Sequence, residues 1–296
     1  MIIARPVGGL ANQMSVYAAA RALAEHHRVP LKLDLAGLAN DKLRCFELDK
    51  LCISADLATP EEIREVARQS SSPLVNKLKK KLRKKLGWHF GVYKERSLVF
   101  DGGFFDLPDS MYIWGNFMSI RYYEPIKEIL NNEFQVSYPL SEATRSWQDR
   151  IQFCESVSLH IRRGDYANDP HTRAHHGLLG LDYYHKAIEV IKEKVSSPEI
   201  FVFSDDLLWV KEELKSDLPI HFVDANDSEN GYQDYHLMLS CNHHIIANSG
   251  FSRWPAYLNQ KASKVVCLPN AWLQKEHIGD ADVAPPEWVR IIDDPI

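Results

Sequence analysis

Short apolar runs and stretches of helical period alternate along this chain. Ile2 to Val7 reads as a strand, Gly8-Gly9-Leu10-Ala11-Asn12 as a tight loop, and Gln13 to His26 as a helix rich in alanine and leucine. Leu31-Lys32-Leu33-Asp34-Leu35 alternates as a second strand, so the chain opens as a β-α-β unit. From Val157 onward the alternation is regular. Strands are predicted at 157–162, 200–203, 221–223, 245–247 and 265–268, with helices at 183–195, 207–214, 233–241 and up to Gln260. That order predicts a Rossmann-like parallel domain whose ligand crevice lies at the carboxyl ends of its strands.

At 296 residues and 45% hydrophobic content, the chain has room for two α/β domains. A formal charge of −5 disfavours a general nucleic-acid binder, so an anion site here must be local, built from a few placed arginines. The five cysteines are odd in number, scattered and without a Cys-x-x-Cys pair, the pattern of reduced, mostly buried thiols in a cytosolic protein. The N-terminus lacks the apolar core of a secretion signal, and no apolar run is long enough to span a bilayer.

The segment from Leu74 to Leu86 differs in kind. Leu74, Leu78, Leu82 and Leu86 recur every four residues among Lys77, Lys79, Lys80, Lys81, Arg83, Lys84 and Lys85. Two readings stand: a surface helix with its leucines in the core, or a helix lying on an anionic membrane surface at the inner face. The aromatic-rich run Met111 to Tyr123 is read as core, although aromatic faces beside polar groups also suit a sugar ring.

Three strand ends carry polar constellations. The first is His160-Ile161-Arg162-Arg163-Gly164-Asp165-Tyr166, where alternation puts His160 and Arg162 on one face and Arg163 on the other. Arg162 is therefore the preferred anion contact, with structural pairing of both arginines to carboxylates as the competing reading. The second is Ser204-Asp205-Asp206. The third is Asn248-Ser249-Gly250-Phe251-Ser252, where Ser249 or Ser252 is placed to cap the next helix and turn its N–H groups toward a phosphate. The Gly8-Gly9 loop lacks the third glycine of a dinucleotide fingerprint and the Gly-Lys-Ser/Thr of a P-loop. Metal candidates are weak: Asp280-Ala281-Asp282 sits in a Pro-rich tail, and His171, His175 and His176 beside Asp169 lie in a loop without cysteine.

Taken in order and at this spacing, Gly8 to Met14, His160 to Tyr166, His176-Gly177 leading to Tyr183-Tyr184, Phe203 to Asp206 with Trp209, and Asn248 to Ser252 resemble the bacterial α-1,2-fucosyltransferases of glycosyltransferase family eleven. The resemblance implies a GT-B-like α/β fold of two Rossmann-like domains facing a cleft. An acceptor-side domain would span 1–150, with the basic helix as an insertion, and a GDP-sugar domain 151–270. A tail at 271–296 would be free to return to the first domain. It implies inverting transfer of L-fucose from GDP-fucose, without metal or other cofactor, to O2 of a galactose in an oligosaccharide or lipid-linked acceptor for O-antigen synthesis. The protein would be cytoplasmic, or peripheral at the inner membrane face. In that picture Arg162 holds the β-phosphate, His160 lies near the ribose or phosphate, and Asp165 joins them as a candidate catalytic carboxylate or turn cap. Asp234 reads the guanine edge. Arg163, Ser204, Asp205, Asn248, Ser249, Phe251 and Ser252 complete the donor site, with Gly9 and Asn12 facing it from the other domain. The chain departs from the family pattern at Ala11, Ser15, Val16, Gly250 and Arg253. Competing readings are another linkage, another GDP-sugar, a GDP-binding protein without transfer, or a membrane-surface scaffold.

Overall fold

The computed structural model describes residues 1–39, 41, 44–68, 72–86, 90–164, 177–225, 230–273 and 282–292, and at 73–86 the side chains of 74–78, 81 and 82. The chain divides into two units, Met1–Gln135 and Val136–Ile296.

In the first unit, β1 (Ile2–Ala4) is buried at every position. Gly8, with φ 71°, turns the chain into α1 (Leu10–His27), whose alanines pack against the sheet and which ends where Arg28 takes a left-handed conformation. There follow β2 (Leu31–Leu33), α2 (Ala36–Ala39), β3 (Asp56–Leu57), α3 (Pro60–Val66), α4 (Pro73–Leu86), β4 (Val92–Lys94), β5 (Met111–Trp114) and α5 (Lys127–Glu133). A full capping box at Thr59 and Glu62, with Pro60 at the first helical position, starts α3. The sheet is parallel, in the order β3-β2-β1-β5-β4. The aromatic run beyond β5 is core: Phe104, Phe117 and Tyr122 meet edge to face or tilted, with centroids 4.9–5.8 Å apart.

The second unit holds α6 (Glu142–Gln152), β6 (Glu155–Ile161), α7 (Leu181–Lys194), β7 (Pro198–Ser204), α8 (Leu207–Glu213), β8 (Ile220–Phe222), α9 (Gly231–Ser240), β9 (His243–Ile245), α10 (Gly250–Leu258), β10 (Val266–Pro269) and β11 (Val289–Ile291). Its sheet is also parallel, in the order β11-β10-β9-β6-β7-β8. A parallel sheet is covered on both faces, and β6 shows how one sequence serves both. Val157, Leu159 and Ile161 pack with Tyr184, Ile188 and Val210 of α7 and α8. The intervening residues are polar yet buried, and each has a partner. Ser156 Oγ accepts from Asn242 N–H at 3.2 Å, Ser158 shares a 2.8 Å bond with His244 Nδ1, and His160 bonds Ser252.

Three expectations need correction. The boundary lies at 135/136 rather than 150, because α6 packs Ile151 and Trp147 on Phe201 and the Ser141 N–H at its start donates to Gln233 at 2.7 Å. The described part of the tail belongs to the second unit, where β11 pairs in parallel with β10, in register Cys267 to Val289. All five cysteines are free, but only Cys241 and Cys267 are buried, and Cys45 and Cys52 are exposed.

Candidate active site

The second sheet reverses its winding next to β6: β7 and β8 follow on one side, β9 to β11 on the other. A crevice opens where the connections leave in opposite directions, so the carboxyl ends of β6 and β9 are the place for a ligand. His160, Arg162 and the start of α10 all stand there.

Arg162 is held by Asp205. The parallel register sets Ile161 against Ser204, so the next residues, Arg162 and Asp205, come side by side. The Arg162 guanidinium lies 3.0 Å from Asp205 Oδ2, with 28% of its side chain still exposed. Asp205 Oδ1 accepts from the backbone N–H groups of Arg163 at 2.8 Å and Gly164 at 3.0 Å. One carboxylate thus fixes both the guanidinium and the turn that follows it. A Cβ at Gly164 would stand 2.6 Å from Asp205 Oδ2, so any larger residue there would have to push that carboxylate aside. Arg163 turns the other way, onto the Trp209 ring at 3.5 Å and to Asp206 Oδ2 at 3.2 Å, while Asp206 caps α8. Ser204 Oγ accepts from Asp206 N–H at 3.0 Å and steadies the same turn.

His160 and Ser252 tie β6 to α10. His160 Nδ1 and Ser252 Oγ share a 2.9 Å bond, the Ala247 N–H donates to the same oxygen at 3.2 Å, and the His160 ring lies 5.7 Å from that of Phe251. Of the two serines offered as caps, Ser249 serves, accepting from Phe251 N–H; Ser252 is buried and is a link rather than a surface for phosphate. Burial first, and the Arg162 charge second, push His160 down to about 4, against the pull of Asp205. The imidazole is therefore neutral at neutral pH and acts as a hydrogen-bonding group, not a cation.

This shift has a stability consequence. The unfolded chain takes up a proton at this histidine near its usual 6.5, the folded chain only near 4. Stability is complete above about pH 6.5 and falls as the pH drops toward 4, by about 3 kcal/mol at most from this group. Burial also lowers His244, His236 and His243, which adds in the same direction. Urea unfolding at stepped pH checks this: His160→Asn, which keeps a polar atom near Nδ1 but does not titrate, flattens the slope between pH 6.5 and 4.

Asp234 lies in the first turn of α9, beside buried Gln233, and Gly231 at the start of that helix approaches Phe251. Asn248 is buried in the β9–α10 connection. Gly9 and Asn12 belong to the first unit, at the start of α1. There the sequence reading missed Gln13 and Glu47. Buried Gln13 donates to the carbonyls of Gly8 at 2.8 Å and Cys45 at 2.7 Å, and accepts from Glu47 N–H at 3.0 Å. Burial raises the Glu47 carboxyl, and its bond from the Leu10 N–H at this helix start pulls it the other way. A glutamine following a glycine loop was the available signal for the first; nothing local marks the second.

Asp165, Tyr166, Asp169, His171, His175, His176 and Asp280 lie outside the described residues. Among the described residues no group of three metal-ligating side chains comes together. Arg253, a departure from the expected pattern, is 2% exposed; it donates to Val283 O at 3.1 Å and lies near the rings of Trp254 and Trp272.

Comparison with known proteins agrees with this architecture. The chain is 31% identical over 297 residues to an Escherichia coli alpha-1,2-colitosyltransferase, covering 98% of this chain and 99% of that one. It is 30% identical to the E. coli O-antigen biosynthesis glycosyltransferase WbnK, over 90% of this chain and 92% of that one. Among solved structures, an Arabidopsis thaliana FUT1 variant in complex with GDP superimposes with a TM-score of 0.51 at 11% identity, covering 90% of this chain and 69% of that chain, and shares its fold. The model of glycosyl transferase family 11 matches residues 93–292, more than half of the sequence, and the chain belongs to that family of glycosyltransferases.

Proposed function

We propose that this glycosyltransferase moves L-fucose from GDP-fucose to O2 of a galactose in an oligosaccharide acceptor, with inversion, in O-antigen synthesis. The observation that carries the reading is the carboxylate-held guanidinium of Arg162 beside the start of α10 at the point where the sheet reverses. When the bond from the sugar C1 to the diphosphate stretches, negative charge gathers on the β-phosphate. A fixed guanidinium and the N–H groups at a helix start stabilise that charge more than they stabilise the bound donor. Neutral His160 fits a hydroxyl or phosphate oxygen as a hydrogen-bond partner, Asp234 fits the guanine edge, and Asn248 and Phe251 shape the floor between them. Asp205 acts through Arg162. The five free thiols support a reducing, cytoplasmic setting.

A second donor is favoured by a specific observation, the near full-length similarity to a colitosyltransferase. Colitose is fucose without its 3-hydroxyl. A pocket that hydrogen-bonds that hydroxyl rejects the deoxy sugar strongly, whereas an apolar one discriminates far less. Purified protein is offered each GDP-sugar with a β-galactoside, with and without EDTA, and the product linkage is read by NMR. Transfer of fucose to O2 supports the first reading, and preference for the deoxy donor the second. GDP binding with neither transfer nor donor hydrolysis overturns both.

A further inference from the structure

Helix α4 carries a pattern that the transferase site does not use. Leu74, Leu78 and Leu82 recur every fourth residue, and the helical period brings them to one face. A surface helix ordinarily turns such a stripe to the core. Here Leu74 is 78% exposed and Leu78 56%, with Val75 beside them at 40%. Lys77 and Lys81 are exposed along the same helix. Seven cations fall between 77 and 85, with no acidic residue anywhere from 73 to 86, in a chain whose formal charge is −5.

These features select among occupants. A nucleic acid would meet the cations and leave the leucines in water. A second copy of the helix would cover the leucines but set one basic cluster against another. An anionic bilayer surface takes both, the leucines at the boundary of headgroups and acyl chains and the lysines among the lipid phosphates. We infer that α4 docks this protein on an anionic membrane surface, lying in the interface along its length of about 21 Å. Among the described residues no helix is long and apolar enough to cross a membrane. If the proposed transferase reading holds, the docking brings the enzyme to lipid-linked acceptors; the docking itself does not depend on that reading.

The test is flotation of the full chain with vesicles of phosphatidylcholine alone and of phosphatidylcholine mixed with phosphatidylglycerol. Binding is expected to the mixed vesicles only and to weaken as salt is raised. Leu74→Glu with Leu78→Glu, and separately Lys77→Glu with Lys81→Glu, each lower the partition at least about tenfold. Both pairs keep the circular dichroism spectrum and transfer to a soluble galactoside, which separates loss of docking from failure of the transferase reading. Equal binding to the two vesicle types, binding to neither, or binding that survives both pairs overturns the proposal. So does RNA binding without vesicle binding, or a dimer in sedimentation that the leucine pair disperses.

Discussion

Arg162→Ala lowers sugar transfer at least about a hundredfold, the size of effect seen when one preorganised donor to a developing oxyanion is removed. The guanidinium stands just past the carboxyl end of β6, clamped at 3.0 Å by Asp205, so it needs little reorganisation as charge moves onto the leaving diphosphate. Because the benefit grows as the bond breaks, kcat falls more than the affinity for GDP. Arg162→Lys recovers only part of the loss: an ammonium restores the charge, but it cannot present a planar fork to a carboxylate and a phosphate together. The side chain is partly exposed, and Asp205 retains two backbone donors, so the fold survives the change. Steady-state kinetics beside calorimetric GDP titration reads both quantities. Near-normal turnover in Arg162→Ala removes this residue from the mechanism.

Much of this site was legible because β6 alternates so cleanly. Ser156, Ser158, His160 and Arg162 form a polar row interleaved with Val157, Leu159 and Ile161, and the period of two puts Arg163 on the opposite side, where it stacks on Trp209. The partner of Arg162 was not legible. Asp205 could be named as a residue of the site, but its pairing depends on the register of two parallel strands more than forty positions apart, and nothing in a local pattern records register. Strands β3, β4, β5 and β11, of two to four residues, show no period of their own and went unread; β1, β2, β8 and β9, at three residues each, were legible through the strand and helix alternation around them. Arg253 was legible only as a departure from the family pattern, and nothing local showed that aromatic surroundings and the Val283 carbonyl hold it inside. For α4 the pattern allowed both a buried and an open leucine face, and only the exposure of Leu74 and Leu78 decides between them.

The second large effect is expected at Asp205, and two substitutions there separate its two jobs. In Asp205→Asn the amide oxygen still accepts from the N–H groups of Arg163 and Gly164, while the amide nitrogen takes the place of Oδ2 and turns donors toward a guanidinium that only donates. The turn stays and Arg162 loses its anchor, so kcat falls about tenfold with the melting temperature nearly unchanged. Asp205→Ala removes both acceptors. The two N–H groups are reached by water, which limits the loss of stability to about 1–2 kcal/mol, but turn and guanidinium are now both released, and activity falls about a hundredfold. The graded pair distinguishes orientation from charge. If Asp205 served only to balance the charge of Arg162, its removal would strengthen GDP binding and leave turnover intact. If it orients, both variants bind GDP at least as well as the parent and still transfer sugar slowly. Combined with Arg162→Ala, the Asn substitution then adds almost nothing, because a residue that works through Arg162 has no effect once Arg162 is gone.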